Sequence, residues 1–357
     1  MGGFVFLVLF LSTFFLTSLP AAEPKVRDCE VLILGGGPGA LSCALYLSRA
    51  QIPTYVLEGP SPGGMIARSH FVENWPAEVG ISGSELAGKM RQQARKNGAK
   101  ILEAKAISID FTSYPYQVRA EDLASGSSFS LRAPIIVIAM GTSPNLLGIP
   151  GESTYFGKGV STCAVCDGSL FAGKKVAVVG GGDSAILDAE YLANLAKEVH
   201  IFVRKPHFKT TENARKKSVL ARNNVFVHHQ AELAEIRGDG ASITSIYVVE
   251  KGEMISFPMR AFFLAIGARP NTEILGSEVR LTSTGYILLE RGQQTSQPRV
   301  FAIGDITDPV YKQAISAAAD GAKAAIEIQQ QLLALSPEEE ISVELDSKKK
   351  RAKLDCG

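Results

Sequence analysis

Two cysteines and an aspartate stand together in the stretch STCAVCDGSLF, where Cys163, Cys166 and Asp167 form a Cys-x-x-Cys-Asp sequence. Cysteine pairs at this spacing serve as redox-active dithiols, as half of a zinc site or as small structural disulfides. A zinc site needs two further ligands, and the other three cysteines form no second pair. A structural disulfide that closes so short a loop constrains the unfolded chain little. The spacing therefore favours redox chemistry, with Asp167 placed either to transfer a proton or to cap a helix.

A glycine turn upstream of the dithiol predicts a dinucleotide site. The buried strand Val31–Leu34 leads into Gly35-x-Gly37-x-x-Ala40 and a helix, and the next strand ends on Glu58. In such a unit the glycines allow a tight turn and close approach of a pyrophosphate, while the helix N-terminus receives the phosphate charge. An acid in the position of Glu58 accepts hydrogen bonds from an adenosine ribose with a free 2′-hydroxyl.

A second copy of the pattern has the turn Gly180-x-Gly182-x-x-Ala185, but its return strand ends on Arg204 and Lys205. An acid at this place would repel a 2′-phosphate, whereas cations attract it. The second site is therefore predicted to prefer NADPH to NADH. The alternative is that the two cations are only the solvated end of a strand.

Two dinucleotide sites in one chain indicate internal electron transfer between a fixed and an exchangeable cofactor. The site that ends on an acid suits the ADP half of FAD, and the site that ends on cations suits NADPH. A flavin belongs between them because NADPH gives hydride, whereas a disulfide is best reduced through two-electron flavin chemistry. The alternation of strands and helices predicts an α/β fold with two Rossmann-like nucleotide-binding domains.

Length and composition are those of a globular protein with two domains. The chain of 357 residues is too long for one ordinary core, and 46% hydrophobic with 20% charged residues is typical of folded chains. The 37 basic and 36 acidic residues nearly cancel, so no basic footprint for nucleic acid is present.

The two ends of the chain differ from its body. Residues 1–22 are a hydrophobic segment with the small-residue ending of a signal peptide, although no basic residue precedes it and Lys25 and Arg27 follow. We expect a signal peptide and an exported protein; membrane anchoring through residues 4–19, or a cytoplasmic protein with an over-long start, are the alternatives. Residues 336–357 are expected to be a charged, solvated tail.

Several separated stretches resemble the low-molecular-weight, bacterial-type thioredoxin reductases of the pyridine nucleotide-disulfide oxidoreductase family. They are CAVCDG, GGGDSA, VRKPHFK, HFVENWPAEV, FAIGDITDPVYKQAISAA and the crossovers IAMGTSPNLLGIPGE and AIGARPNTEIL. The resemblance implies an FAD domain split between residues 28–143 and 272–335. It places an NADPH domain, which carries the dithiol, as an insertion at 144–271. It also implies a homodimer.

The resemblance assigns residues to each cofactor. Those implied for FAD are Gly35, Gly37, Pro38, Gly39, Ala40, Glu58, Gly59, Gly63, Gly64, Met65, Asn74, Gly304, Asp305, Lys312, Gln313 and Ala314. Those implied for NADPH are Gly180, Gly182, Asp183, Ser184, Ala185, Arg204, Lys205 and Lys209. Met65 stands where the family commonly has Gln. Lys312 and Lys209 stand where Arg is common, which keeps the charge but loses the bidentate fork.

The implied reaction is the NADPH-dependent reduction of a thioredoxin-like protein. Electrons would pass from NADPH to FAD and then to a Cys163–Cys166 disulfide. Cys166 would face the flavin, Cys163 would attack the partner's disulfide, and Asp167 would move the proton. Because the dithiol and the nicotinamide site share one domain, they are expected to take turns at the flavin by rotation about crossovers near Gly141 and Gly267.

Two other functions compete with this interpretation. A flavin-dependent dithiol oxidase of the same fold would pass electrons to oxygen, but such relatives lack a working NADPH segment. A non-catalytic, membrane-tethered flavoprotein redox sensor would have no need of the intact Cys-x-x-Cys-Asp sequence.

Overall fold

The computed structural model of the protein describes residues 26–211 and 213–334. Its strands, in chain order, are β1 (Val26–Asp28), β2 (Val31–Leu34), β3 (Thr54–Leu57), β4 (Lys100–Leu102), β5 (Ala104–Asp110), β6 (Tyr116–Asp122), β7 (Ser128–Ala133), β8 (Ile135–Ile138), β9 (Thr142–Pro144), β10 (Val160–Ser161), β11 (Lys175–Val179), β12 (Glu198–Val203), β13 (Val225–His229), β14 (Ala231–Gly238), β15 (Ile243–Glu250), β16 (Glu253–Pro258), β17 (Ala261–Leu264), β18 (Ala268–Pro270) and β19 (Val300–Ala302).

The helices of the same residues include six α-helices and three short 3-10 helices. The α-helices are α1 (Pro38–Arg49), α2 (Gly83–Lys96), α3 (Ala164–Asp167), α4 (Asp183–Leu192), α5 (Asn213–Leu220) and α6 (Ala314–Ala334), and the 3-10 helices are Met65–Arg68, Gly168–Phe171 and Gly304–Ile306. The hydrophobic segment 1–22 and the tail 336–357 lie outside the described residues. Across 26–211 and 213–334, no helix is both long and apolar enough to cross a bilayer.

The first parallel sheet has the strand order β19-β8-β2-β3-β4. Its central strands are apolar at every position because both faces are covered. Val31 and Ile33 point toward α1 and α6, whereas Leu32 and Leu34 point toward the layer formed by β1 and β5 to β7. Since β19 joins this sheet from the far end of the chain, and Leu275, Val279 and Ile287 pack in the core of the same unit, the segment between β9 and β18 is an insertion that forms a separate unit.

That separate unit repeats the same three-layer design. Its parallel sheet has the order β10-β17-β11-β12-β13. Val176 and Val178 pack under α4, and Ala177 and Val179 pack against the antiparallel meander of β14, β15 and β16. The predicted α/β fold with two Rossmann-like units, one inserted in the other, is confirmed.

The two crossovers between the units pair with each other. β9 and β18 run antiparallel, with Thr142 opposite Pro270 and Pro144 opposite Ala268. The N–H of Asn271 donates to the carbonyl of Gly141 at 3.1 Å, which extends the pairing beyond the strands. The inserted unit is therefore joined to the first one through a short two-stranded ribbon.

Candidate active site

Cys163 and Cys166 form a disulfide across the start of α3, with their Cα atoms 5.3 Å apart. Cys163 is the N-cap residue of this helix, and its sulfur accepts the backbone N–H of Cys166 at 3.1 Å. Asp167 ends α3 and makes no side-chain cap to the 3-10 helix that follows. The alternative that the Asp167 side chain caps a helix is therefore not supported: it makes no cap hydrogen bond to the 3-10 helix, and α3 is capped by the Cys163 sulfur.

Asp167 is instead held in a buried setting beside the disulfide. Burial raises the pKa of its carboxyl, and a hydrogen bond from the Ser161 hydroxyl opposes the rise. Ser161 is itself buried and accepts the backbone N–H of Cys163 at 3.0 Å. The Ser161 hydroxyl thus connects Asp167 to Cys163. Nothing in the sequence indicated this role for a serine two residues before the dithiol.

The disulfide contacts the late segment that was assigned to the flavin. Gln313 places its Oε1 3.8 Å from the sulfur of Cys166 and points its Nε2 at the sulfur of Cys163, also at 3.8 Å. The amide of Asn74 donates to the same Gln313 oxygen at 3.5 Å. Residues that are far apart in the chain and were predicted for the dithiol and for the flavin therefore meet.

A cavity of about 1310 Å³ extends from the disulfide to the first glycine turn. Its volume exceeds that of an ordinary small-molecule pocket, as an extended dinucleotide requires. The residues predicted for FAD that line it are Gly35, Gly37, Pro38, Gly39, Glu58, Gly64, Met65, Asn74, Gly304, Asp305, Lys312, Gln313 and Ala314. The structure therefore assembles most of that predicted set around one space.

Three residues predicted for FAD do not line the cavity. Ala40 is buried in α1, where a small side chain lets the helix approach the sheet. A Cβ at Gly63 would lie 2.5 Å from the Cβ of Ala87, so this glycine allows the loop to pack on α2. Gly59 has a φ of +72° and open space around it.

The first turn combines a crowded glycine with an open one. Gly35 has a φ of +118°, and a Cβ there would overlap the carbonyl of Ala139. At Gly37 a Cβ would find only the Cα of Gly64, at 3.8 Å. The first glycine is needed by the fold itself, whereas the second leaves room that a pyrophosphate can fill.

Glu58 lies at the far end of this site with its side chain wholly buried. Its Oε2 forms an ion pair with Arg91 of α2, and its Oε1 accepts no hydrogen bond from the described residues. Burial raises the pKa of Glu58, and the charges of Arg91 and Arg95 counter the rise. A buried carboxylate with one oxygen free of protein donors fits a ribose hydroxyl of an adenosine.

Two further acids that line the cavity have raised pKa values. Burial raises the pKa of Asp305 to about 6, and the nearby cation of Lys312 opposes this. Burial also raises the pKa of Asp188, on α4, to about 7. Sequence reasoning missed Asp188 because an aspartate in an amphipathic helix is usually a solvated residue.

The second turn repeats the geometry of the first. A Cβ at Gly180 would overlap the carbonyl of Ala265, and a Cβ at Gly182 would meet only the carbonyl of Lys209, at 3.8 Å. The third small residue, Ala185, is fully buried against the sheet. The turn is therefore also open at its second glycine.

The polar residues around the second turn lie mostly at the surface. Asp183 accepts hydrogen bonds from Thr210 and Thr211, which ties the segment after β12 to the start of α4. Arg204 and Lys205 are exposed. Of the residues predicted for NADPH, Ser184 lines the large cavity and the others do not.

The described residues contain no group of three His, Cys, Asp or Glu side chains placed to hold a metal ion. Since the two cysteine sulfurs are bonded to each other, the zinc alternative has no support in this part of the chain.

A disulfide facing a dinucleotide-sized cavity, on a pair of Rossmann-like units, defines a class of oxidoreductase. The family model described as pyridine nucleotide-disulphide oxidoreductase matches residues 29–321, and the chain belongs to this family.

Within the family, the relatives are thioredoxin reductases. A thioredoxin reductase of Buchnera aphidicola is 34% identical over 315 residues, which covers 85% of this chain and 97% of that protein. A solved thioredoxin reductase from Giardia duodenalis is 34% identical, with a TM-score of 0.79, and the match covers 86% of this chain and 99% of that one. The chain is thus a member of the low-molecular-weight thioredoxin reductase family.

A relative with a different name is equally similar. A glucosaminate ammonia-lyase of Pseudomonas fluorescens is 34% identical over 321 residues, covering 86% of this chain and 97% of that protein. Identity alone therefore does not separate the two activities. The bonded Cys163 and Cys166, which line the cavity, favour the reductase activity, because elimination of ammonia has no need to transfer electrons to a protein disulfide.

Proposed function

We propose that the protein is an NADPH-dependent thioredoxin-disulfide reductase that contains FAD. Electrons pass from NADPH through FAD to the Cys163–Cys166 disulfide and then to a disulfide of a thioredoxin-like protein. The observation that carries this proposal is the position of Gln313, which contacts both sulfurs from the segment that lines the flavin cavity.

The residues of the first unit fit FAD. Gly37 leaves room for the pyrophosphate, and Glu58 offers buried acceptors to the ribose. Asp305 and Lys312 also line the cavity, where Asp305 would hold the ribityl or pyrophosphate part of FAD and Lys312 would lie by the flavin ring. When bound, FAD supplies the two-electron step between a nicotinamide and a disulfide.

The proton chemistry falls to Asp167. Reduction of the disulfide consumes two electrons and two protons, and each later exchange with a partner requires a thiol to lose its proton. A carboxyl whose pKa is raised by burial holds a proton closer to neutral pH, so it can give that proton to a leaving thiolate and take it back. The N–H of Cys166 favours the thiolate of Cys163, which is the sulfur assigned to attack the partner.

The two units are proposed to turn relative to each other. The disulfide already occupies the side of the cavity next to Gln313, while Arg204 and Lys205 lie outside it. A nicotinamide bound at the second turn reaches the flavin only after the disulfide has moved away. The ribbon of β9 and β18 is the place for this motion.

Assembly and location follow the sequence-based expectations. We propose a homodimer, to be checked by light scattering of the purified protein. We also propose export directed by residues 1–22. N-terminal sequencing of the mature protein tests this, because an intact Met1 would exclude cleavage.

The test of the function is NADPH-driven reduction of a thioredoxin disulfide by the purified, FAD-loaded protein. We expect Cys166→Ser to lose activity by about 1000-fold or more while still binding FAD, since a redox pair acts as a unit. Oxygen uptake from dithiols without NADPH oxidation would support the dithiol oxidase instead. Tight FAD binding without either turnover would support the redox sensor.

A further inference from the structure

Beside the first nucleotide site lies a charge cluster that crosses from β3 to α2. The guanidinium of Arg91 forms an ion pair with the buried carboxylate of Glu58. The same Nη2 nitrogen of Arg91 also contacts Oε1 of Glu103 at 2.9 Å, and the Glu103 side chain is 63% exposed. One nitrogen of the arginine therefore connects a buried acid to one at the surface.

Burial of Glu58 disfavours the ionised form of its carboxyl group. With its side chain wholly buried, the neutral acid is favoured and the pKa is raised. A neutral carboxyl would present an O–H donor where the ribose of an adenosine also presents donors. Arg91 is the strongest of the charges that oppose this rise, ahead of Arg95.

Arg91 acts at a distance from the ligand. Glu58 lines the cavity, whereas Arg91 lies behind it in α2 and does not. The ion pair engages the Oε2 atom of Glu58, which leaves Oε1 buried and without a hydrogen bond from the described residues. A buried acceptor in this state calls for a donor from outside the protein.

We propose that Arg91 is the positioning residue for recognition of the adenosine half of FAD. It keeps Glu58 ionised and holds one carboxylate oxygen, so that the other accepts a ribose hydroxyl. The inference rests on the proposed function only in taking FAD as the ligand of this site.

Because FMN lacks the adenosine half, the role of Arg91 can be separated from general folding. The apoprotein is titrated with FAD and with FMN, and binding is followed by flavin fluorescence. For Arg91→Met we expect the Kd for FAD to rise about tenfold or more, as for loss of a charge-assisted hydrogen bond. The Kd for FMN should stay within about twofold, and Arg91→Lys should recover part of the FAD affinity.

The pH dependence gives a second signature. Without Arg91 the pKa of Glu58 rises further, so the carboxyl is protonated over a wider pH range. The FAD affinity of Arg91→Met should therefore increase as the pH is raised, while that of the unsubstituted protein should change less. The matched control is Glu103→Gln, which removes only the exposed partner and should stay within about twofold.

A double-mutant cycle distinguishes a loss of FAD affinity that acts through Glu58 from one caused by misfolding of the variant. In a Glu58→Gln background, Arg91→Met should cause little further loss of FAD affinity, since there is no charge left to hold. Equal loss of FAD and FMN affinity, or unchanged FAD affinity in Arg91→Met, would overturn the inference alone. An unsubstituted apoprotein that binds FAD no better than FMN would overturn both the inference and the proposed function.

Discussion

The two glycine turns share a backbone design but differ in what surrounds them. At the first, Glu58 is wholly buried, and a Cβ at Gly39 would lie 2.9 Å from the carbonyl of Ala317 in α6. At the second, Arg204 and Lys205 stand exposed at the end of β12. The first site is built into the packing of its unit, whereas the second lies open on its unit's surface.

This difference matches two kinds of cofactor use. A ligand enclosed by buried groups leaves slowly, because its departure strips partners from acceptors such as Glu58. A ligand held by exposed cations binds through long-range attraction and exchanges readily. Under the proposed function, the same turn would serve a resident FAD in one unit and an exchangeable NADPH in the other, and four predictions test that contrast.

The largest effect on stability is expected at the first glycine of the turn, which is crowded in both units. Gly35→Ala should lower the free energy of unfolding by at least about 3 kcal/mol, because a positive φ and overlap with Ala139 act together. Urea denaturation measures this change in the free energy of unfolding. Gly98→Ala, at a φ of +109° with open space around it, should cost only about 1–2 kcal/mol. Equal losses would mean that the crowding is relieved by a local shift.

Substitution of the second glycine of each turn should weaken the binding of one cofactor and leave the other unaffected. Gly37→Ala and Gly182→Ala add a Cβ with no protein atom nearer than 3.8 Å, so both variants should fold normally. We expect Gly37→Ala to raise the Kd for FAD, and Gly182→Ala to raise the KM for NADPH, each by about 10-fold to 100-fold. If Gly182→Ala released FAD instead, the assignment of the sites would be reversed.

The cations at the open site should set the choice between nicotinamides. Arg204→Ala and Lys205→Ala should each raise the KM for NADPH by roughly tenfold, since each loses a charge-assisted bond to the 2′-phosphate. The KM for NADH should not change. Lys174→Ala is the control, because Lys174 comes just before β11, at the edge of the parallel sheet opposite to the one where Arg204 and Lys205 lie. A parallel loss with both nucleotides would show that the cations do not read the 2′-phosphate.

The smallest effect is expected from Asp183. Its carboxylate holds Thr210 and Thr211, and so restrains the segment that begins with the two cations. Asp183→Ala should raise the KM for NADPH by about three- to fivefold, as for one net hydrogen bond, without changing FAD binding. Thr211→Val is the matched variant and should show a smaller change in the same direction. A change larger than that of Arg204→Ala would indicate direct contact with the nucleotide.

The continuous apolar runs were sufficient to predict much of the fold. Val31–Leu34 is a strand with the predicted bounds, because a strand buried on both faces is apolar throughout. The second turn opens the helix α4, Asp183–Leu192, as the repeated pattern predicts.

The residues that sequence reasoning missed act through tertiary contacts. Arg91 reaches Glu58 only because α2 packs beside β3, and a single arginine in a polar helix carries no signal of that. Ser161 is informative only once the turn of α3 brings Asp167 back over it. Asp167 was a reasonable cap by residue type, but it lies at the end of α3, whose first turn is capped by the sulfur of Cys163.

The paired crossovers have a consequence for how often the disulfide finds the flavin. Two independent linkers would let the inserted unit wander, and the local concentration of the disulfide would fall with the volume it explores. Because β9 and β18 are hydrogen-bonded to each other, the unit is held by a double tether that favours twisting over separation. Under the proposed rotation, the disulfide would be confined to an arc that returns to Gln313, so its local concentration beside the flavin site would stay high.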